Sequence, residues 1–184
     1  MKVDYLIQHC SPTLANLKTA NMFTCDADDP EFLDKYVKSF NQSFYHKGIK
    51  MTILRLSKQR ALCYIYRPSR LQCDLQCPIA RDILEDLAYP VNSTAACLVC
   101  IKQRLKNKKE FPHEIGLFLG YPPEDVAGFI VNKARNEKYL GTWKVYSDVE
   151  AAQKCFASFK NCRKEYERAW FEGKCNLDEL IVAS

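Results

Sequence analysis

No continuous apolar run in this chain is long enough for a secretory signal near its start or for a membrane span further on. The expectation is a cytoplasmic protein with no membrane partner. Glycine is scarce, at six residues, and no glycine-rich phosphate loop occurs, so the nucleotide-binding loops built on such turns are excluded. The three histidines, His9, His46 and His113, are far apart, which removes a paired-histidine zinc helix, and no serine-hydrolase elbow is present. A formal charge of +5 is too mild to argue for nucleic acid or a membrane surface. Neither an internal repeat nor a low-complexity linker divides the chain.

What is there has ordinary globular proportions. With 184 residues, 47% hydrophobic and 27% charged, the chain can bury a real core, and one domain over 1–184 is the economical reading. Ten cysteines are many for such a protein. They are scattered and fall partly on apolar helix faces, which suits reduced thiols better than a disulfide framework.

The pattern of apolar residues predicts a mainly helical α+β fold. Ser11-Pro12 suits a cap and first helical position, giving a helix from Pro12 to about Phe23, with Cys10 just outside its start. Phe32, Leu33, Tyr36, Val37, Phe40 and Phe44 recur at helical spacing until Gly48. Residues 49–67 read as a β-hairpin, and a short strand at about 141–146 is expected to join it as a small antiparallel sheet packed by helices. Further helices are expected at Pro78 to Leu87, Ser93 to Lys106, on both sides of a Gly120-Tyr121-Pro122-Pro123 turn, after Asp148, and from Leu177 to Val182. The run from Lys102 to Lys109 reads as a solvated, basic helix end, with nucleic-acid contact the lesser alternative.

Four segments stand in the order and spacing of a known family: His9-Cys10-Ser11-Pro12-Thr13-Leu14-Ala15, the strand end Tyr66-Arg67-Pro68, His113 through Val126, and Gly141-x-Trp143-Lys144-Val145-Tyr146. Together they resemble an uncharacterised family of small bacterial proteins, found largely in anaerobes and known only as a domain of unknown function. The resemblance spans nearly the whole chain. It implies that Cys10 and the His113-Glu114 pair belong to the family pattern, whereas Cys73, Cys77, Cys97 and Cys100 do not, and it implies no reaction.

Cys10 is the sharpest candidate for chemistry. A thiol beside a helix N-terminus feels the positive end of the dipole, which favours thiolate, and Lys18 further along could assist. His113 would serve as its base, with Glu114 adjacent; these are the residue types a cysteine nucleophile needs. Neighbours on a helix do not face each other, so Asp125 is freer than Glu114 to orient the imidazole. The alternative is that Cys10 is a small buried residue and His113 and Glu114 are first-turn helix residues.

Cys73, Cys77, Cys97 and Cys100 offer four thiols in two pairs, the number a zinc or iron-sulfur centre needs, although Cys97 and Cys100 lie in an apolar helical run without a knuckle turn. His9, Cys10, His113 and Tyr121 are feasible axial ligands for haem or another iron cofactor, without any attachment motif. Trp143, Lys144 and Tyr146, with Tyr64, Tyr66 and Arg67, could form an aromatic and basic sheet face for a planar ligand or nucleotide, or serve simply as core and snorkelling residues; Tyr121, Trp143 and Lys144 are the candidate cofactor-binding residues. Two functional classes follow: a thiol-dependent protein using Cys10 and His113, or a non-catalytic protein binding iron, zinc, haem, another small molecule or a protein partner.

Overall fold

A computed structural model describes residues 3–107 and 111–184, with the side chain of residue 107 left aside. The elements run α1 (Asp4–Leu14), β1 (Ala20–Asp26), α2 (Pro30–Phe44), β2 (Lys50–Leu56), β3 (Arg60–Tyr66), α3 (Pro68–Gln76), α4 (Pro78–Asp86), α5 (Thr94–Asn107), α6 (Ile115–Phe118), α7 (Pro123–Val131), β4 (Tyr139–Leu140), β5 (Lys144–Val145), α8 (Val149–Phe171) and α9 (Leu177–Leu180). This is the expected helical α+β fold with a small antiparallel sheet. The polypeptide divides into two compact units, Met1–Arg70 with Phe159–Ser184, and Leu71–Ser158. The basic run from Lys102 to Lys109 continues the end of α5 into residues 108–110, which lie outside the described residues.

In the first unit, β3 is the centre of a three-stranded antiparallel sheet in the order β1-β3-β2. The hairpin over 49–67 is present, closed by Ser57 N–H on the Arg60 carbonyl at 2.8 Å. Its third strand is not 141–146. Ala20–Asp26 takes that place, pairing Phe23 with Cys63 and Ala20 with Tyr66. The expected helix from Pro12 to Phe23 is thus corrected: the helix lies upstream as α1, Pro12 falls inside its last turn, and the chain leaves it through Asn16 at φ 57°. Ser11 is no cap, because its hydroxyl donates to the Ile7 carbonyl within the helix.

That shift decides the core. α1 packs on β1 and α2 on β2, and Leu6, Ile7, Cys10 and Leu14 meet Phe23, Cys25, Met51, Cys63 and Ile65 in one buried apolar cluster. α2 follows its sequence signals: Asp29 accepts from Phe32 N–H at 2.9 Å, Pro30 starts the helix, and Leu33, Val37 and Phe40 are buried. Gly48, at φ 68°, closes the turn after it.

In the second unit, Pro78 opens α4 and the Ser93 hydroxyl accepts from Ala96 N–H at 3.2 Å at the start of α5. The helix expected before Gly120 begins at Ile115 and is a single turn, α6. Gly120 at φ 71° ends it and Pro123 starts α7. α7 packs against α4, α6 and β5. The approach to β5 is so close that a Cβ added at Gly128 would stand 2.5 Å from Tyr146 Cβ. β5 pairs with β4 in a separate two-stranded ribbon, Leu140 opposite Lys144. Asp148 then caps α8 through Ala151 N–H at 3.0 Å.

Candidate functional site

The turn between α6 and α7 and the ribbon of β4 and β5 line a half-open cavity of about 330 Å³ within the second unit. Its lining includes Tyr121, Trp143, Phe129, His113, Lys144 and Asp125. The ring of Tyr121 stacks on Trp143 at 4.8 Å between centroids and 27° between planes, and Trp143 meets the edge of Phe156 at 4.5 Å. His113 stands edge-on to Phe129 at 5.0 Å, its side chain exposed at the rim. A second cavity, of about 400 Å³, shares Phe111, Pro112 and His113 with the first.

Asp125 anchors this arrangement. It lies in the first turn of α7, is 2% exposed, and accepts four hydrogen bonds: from Trp143 Nε1 at 2.7 Å, Tyr146 N at 2.8 Å, Ser147 N at 2.8 Å and Ser147 Oγ at 2.7 Å. Burial pushes its pKa up, but the donors from Tyr146, Ser147 and Trp143 outweigh it, and the carboxyl is held below its ordinary 3.8. The carboxylate therefore ties the ribbon to α7 and fixes the indole. Its acceptor sites are taken by these donors, which corrects the expectation that it orients His113.

Glu114 is likewise committed elsewhere. It is 4% exposed and accepts from Tyr89 Oη at 2.9 Å and Arg104 Nη1 at 3.2 Å, while Arg104 also donates to the Leu87 carbonyl and lies 4.8 Å over the Tyr89 ring. Burial first, then the Glu114 charge and hydrogen bond, push the Tyr89 phenol up, so it stays a donor. Lys144 gives its ammonium to the Ala134 carbonyl at 2.7 Å and Glu137 Oε1 at 3.0 Å. It pins a loop in which Lys133, Ala134 and Asn136 all have positive φ, between 50° and 62°.

The thiols are placed differently from expectation. Cys10 is wholly buried in the core of the first unit, on the second turn of α1 and not before a helix N-terminus. Burial pushes its thiol up, and the Lys18 ammonium only partly opposes this. Lys18 is itself 4% exposed and donates to the Ala20 carbonyl at 2.7 Å. The physical basis for a Cys10 thiolate is therefore removed: the dipole end it relied on lies elsewhere, and hydrocarbon surrounds the sulfur. His9 is exposed, at 6.3 Å from the Phe23 ring. Burial, then the Arg163 charge, lower its pKa, with Glu167 opposing.

The four-thiol set does not assemble. Cys73 is exposed, Cys77 and Cys100 half-buried, and Cys97 donates to the Pro90 carbonyl at 3.4 Å. Among the described residues no group of three or more His, Cys, Asp or Glu is placed to hold a metal ion. Cys97 and Cys100 both belong to the apolar helix α5, whose three-residue spacing supplies two thiols to one face but not the further ligands a zinc centre takes. A closer thiol pair escaped the sequence reading altogether: Cys25 and Cys63 Sγ lie 3.6 Å apart on neighbouring strands.

The expected cofactor residues Tyr121, Trp143 and Lys144 are thus brought together with the expected base His113, while Cys10 and Lys18, expected to carry the thiol chemistry, are buried in the other unit. A family model described as "Protein of unknown function (DUF3793)" matches residues 6–181. The chain belongs to this family. No curated protein and no solved structure matches it. The DUF3793 match covers both the buried Cys10 segment and the cavity. Phe129 and Asp125 are the lining residues whose role the sequence reading missed. Their four-residue spacing on α7, with Val126 between them, was the available signal, since it sets them on one helix face.

Proposed function

We propose that this protein binds a small, largely apolar molecule in the aromatic cavity of its second unit and does not use Cys10 as a nucleophile. The observation that carries this reading is the stacked Tyr121–Trp143 pair lining a cavity of about 330 Å³, held by a buried, hydrogen-bonded carboxylate. Such a volume is at the small end of the roughly 300–1,000 Å³ of ligand pockets, and a rigid aromatic lining with few polar groups is their usual composition. The clamp from Asp125 to Trp143, Tyr146 and Ser147 means the walls need little ordering when a ligand arrives. We also read the protein as cytoplasmic, because its ten cysteines are scattered along the chain and fall partly on apolar helix faces, which suits reduced thiols. No helix among the described residues is long and apolar enough to cross a membrane.

Calorimetric titration with a ring-sized probe such as indole tests the reading. Thr142 lines the cavity from an exposed loop position, so Thr142→Trp should fill the mouth and abolish binding while leaving the melting temperature within a few degrees. Saturable binding by the wild type that is lost in this variant supports the reading. Absence of binding by indole, choline and 3,3-dimethyl-1-butanol alike, or binding unchanged in the variant, defeats it.

A further inference from the structure

The charge balance around the cavity selects among apolar ligands. Lys144, the one lysine among the described lining residues, is neutralised by Glu137 at 3.0 Å and turned onto the Ala134 carbonyl. His113 stands at the exposed rim. Asp125 is different. All four of its hydrogen-bond donors are neutral, and it forms no ion pair among the described residues. Neutral donors spread a carboxylate's charge without cancelling it, and the N-terminal end of α7 supplies at most about half a positive charge. A negative charge is therefore built into the wall of an aromatic cavity. A neutral ligand entering here would displace the water that screens that charge and put nothing in its place. A cation would be attracted both by the carboxylate and by the half-buried rings of Tyr121 and Phe129, on the faces that the Tyr121–Trp143 stack does not cover, because ring faces carry the negative part of the aromatic quadrupole.

We propose that the ligand of this cavity is a small organic cation, an ammonium group carrying apolar substituents, recognised by the aromatic walls and by the field of Asp125. This rests on the cavity being a binding site. The substituents suit the apolar lining, and an ammonium already shielded by alkyl groups gives up less hydration on entering than a bare one. The recognition needs no displacement of the hydrogen bonds on Asp125, since the attraction acts through space.

The test compares choline with 3,3-dimethyl-1-butanol, its uncharged carbon isostere, by calorimetric titration of the full chain at pH 8, with indole alongside. Choline should bind roughly tenfold more tightly than the isostere, the order expected for a cation on desolvated aromatic faces. Tyr121→Leu, which keeps an apolar wall but removes one ring face, should lower the choline-to-isostere ratio severalfold while changing isostere binding little. Thr142→Trp should abolish both. If the isostere or indole binds as tightly as choline, the cation inference is overturned and the binding reading survives. An unchanged ratio in Tyr121→Leu, or choline binding that persists in Thr142→Trp, also overturns it. If none of the three probes binds, the binding reading fails and takes the inference with it.

Discussion

Trp143 donates its indole N–H to Asp125 Oδ2 at 2.7 Å, joining two residues 18 positions apart, one on the loop before β5 and one in the first turn of α7. The same carboxylate holds Tyr146 and Ser147 through its other oxygen. One side chain thus positions the ribbon, the indole and the cavity wall together.

Asp125→Asn retains the shape but turns one N–H₂ group toward donors that need an acceptor. The expected loss is about 2–4 kcal/mol, seen as a fall of roughly 5–15 °C in melting temperature. The pH dependence has a definite sign. Because the folded-state pKa lies below the ordinary 3.8, the wild-type advantage is fully present above that value and fades as the pH falls through the lowered folded pKa. Equal melting temperatures for the two proteins at pH 7 would show the clamp to be unimportant.

Glu114 is expected to act on stability through Tyr89 and Arg104. Glu114→Ala leaves a buried phenol and a largely buried guanidinium without their shared acceptor and should cost about 2–4 kcal/mol in urea denaturation. Glu114→Gln keeps an acceptor for Tyr89 and should cost less. An alanine variant as stable as the wild type would contradict this network.

The cysteines should label in the order of their exposure. Iodoacetamide at pH 7.5 should reach Cys73 in the native protein and spare Cys10, Cys25 and Cys63 until the chain is unfolded, as peptide mass mapping would show. Labelling of Cys10 at the rate of Cys73 would restore the thiolate reading. Raising the pH past 9.0, the ordinary thiol value, lets the unfolded chain gain a thiolate that the folded core excludes, so stability should decline there. Cys10→Ala should soften that alkaline decline.

Gly128→Ala separates two opposing effects. Helix propensity alone would stabilise α7 by about 1 kcal/mol. The added methyl, however, would stand 2.5 Å from Tyr146 Cβ, whose backbone N–H is held by Asp125. A net loss of about 1–3 kcal/mol is expected from the overpacking, measurable as a lowered melting temperature. A stabilised variant would mean that β5 yields easily.

Sequence alone determined the features set by a few neighbouring residues. The apolar stripe of α2 ending at Gly48, the hairpin over 49–67, Gly120 before two prolines and the Asp148 cap all appear where the residues placed them, because backbone sterics and capping act over one or two turns. Ser11-Pro12 carried the same kind of signal and misled, since burial of Leu6, Ile7 and Leu14 favoured an earlier helix and left Ala20–Asp26 free to pair with β3. Only the tertiary structure decided which polar groups meet. It seated Cys10 among hydrocarbon, gave Glu114 to Arg104, and gave Asp125 to an indole and two amides more than 15 residues away. A buried carboxylate must take whatever donors the packing brings to it, and packing is a property of the whole fold.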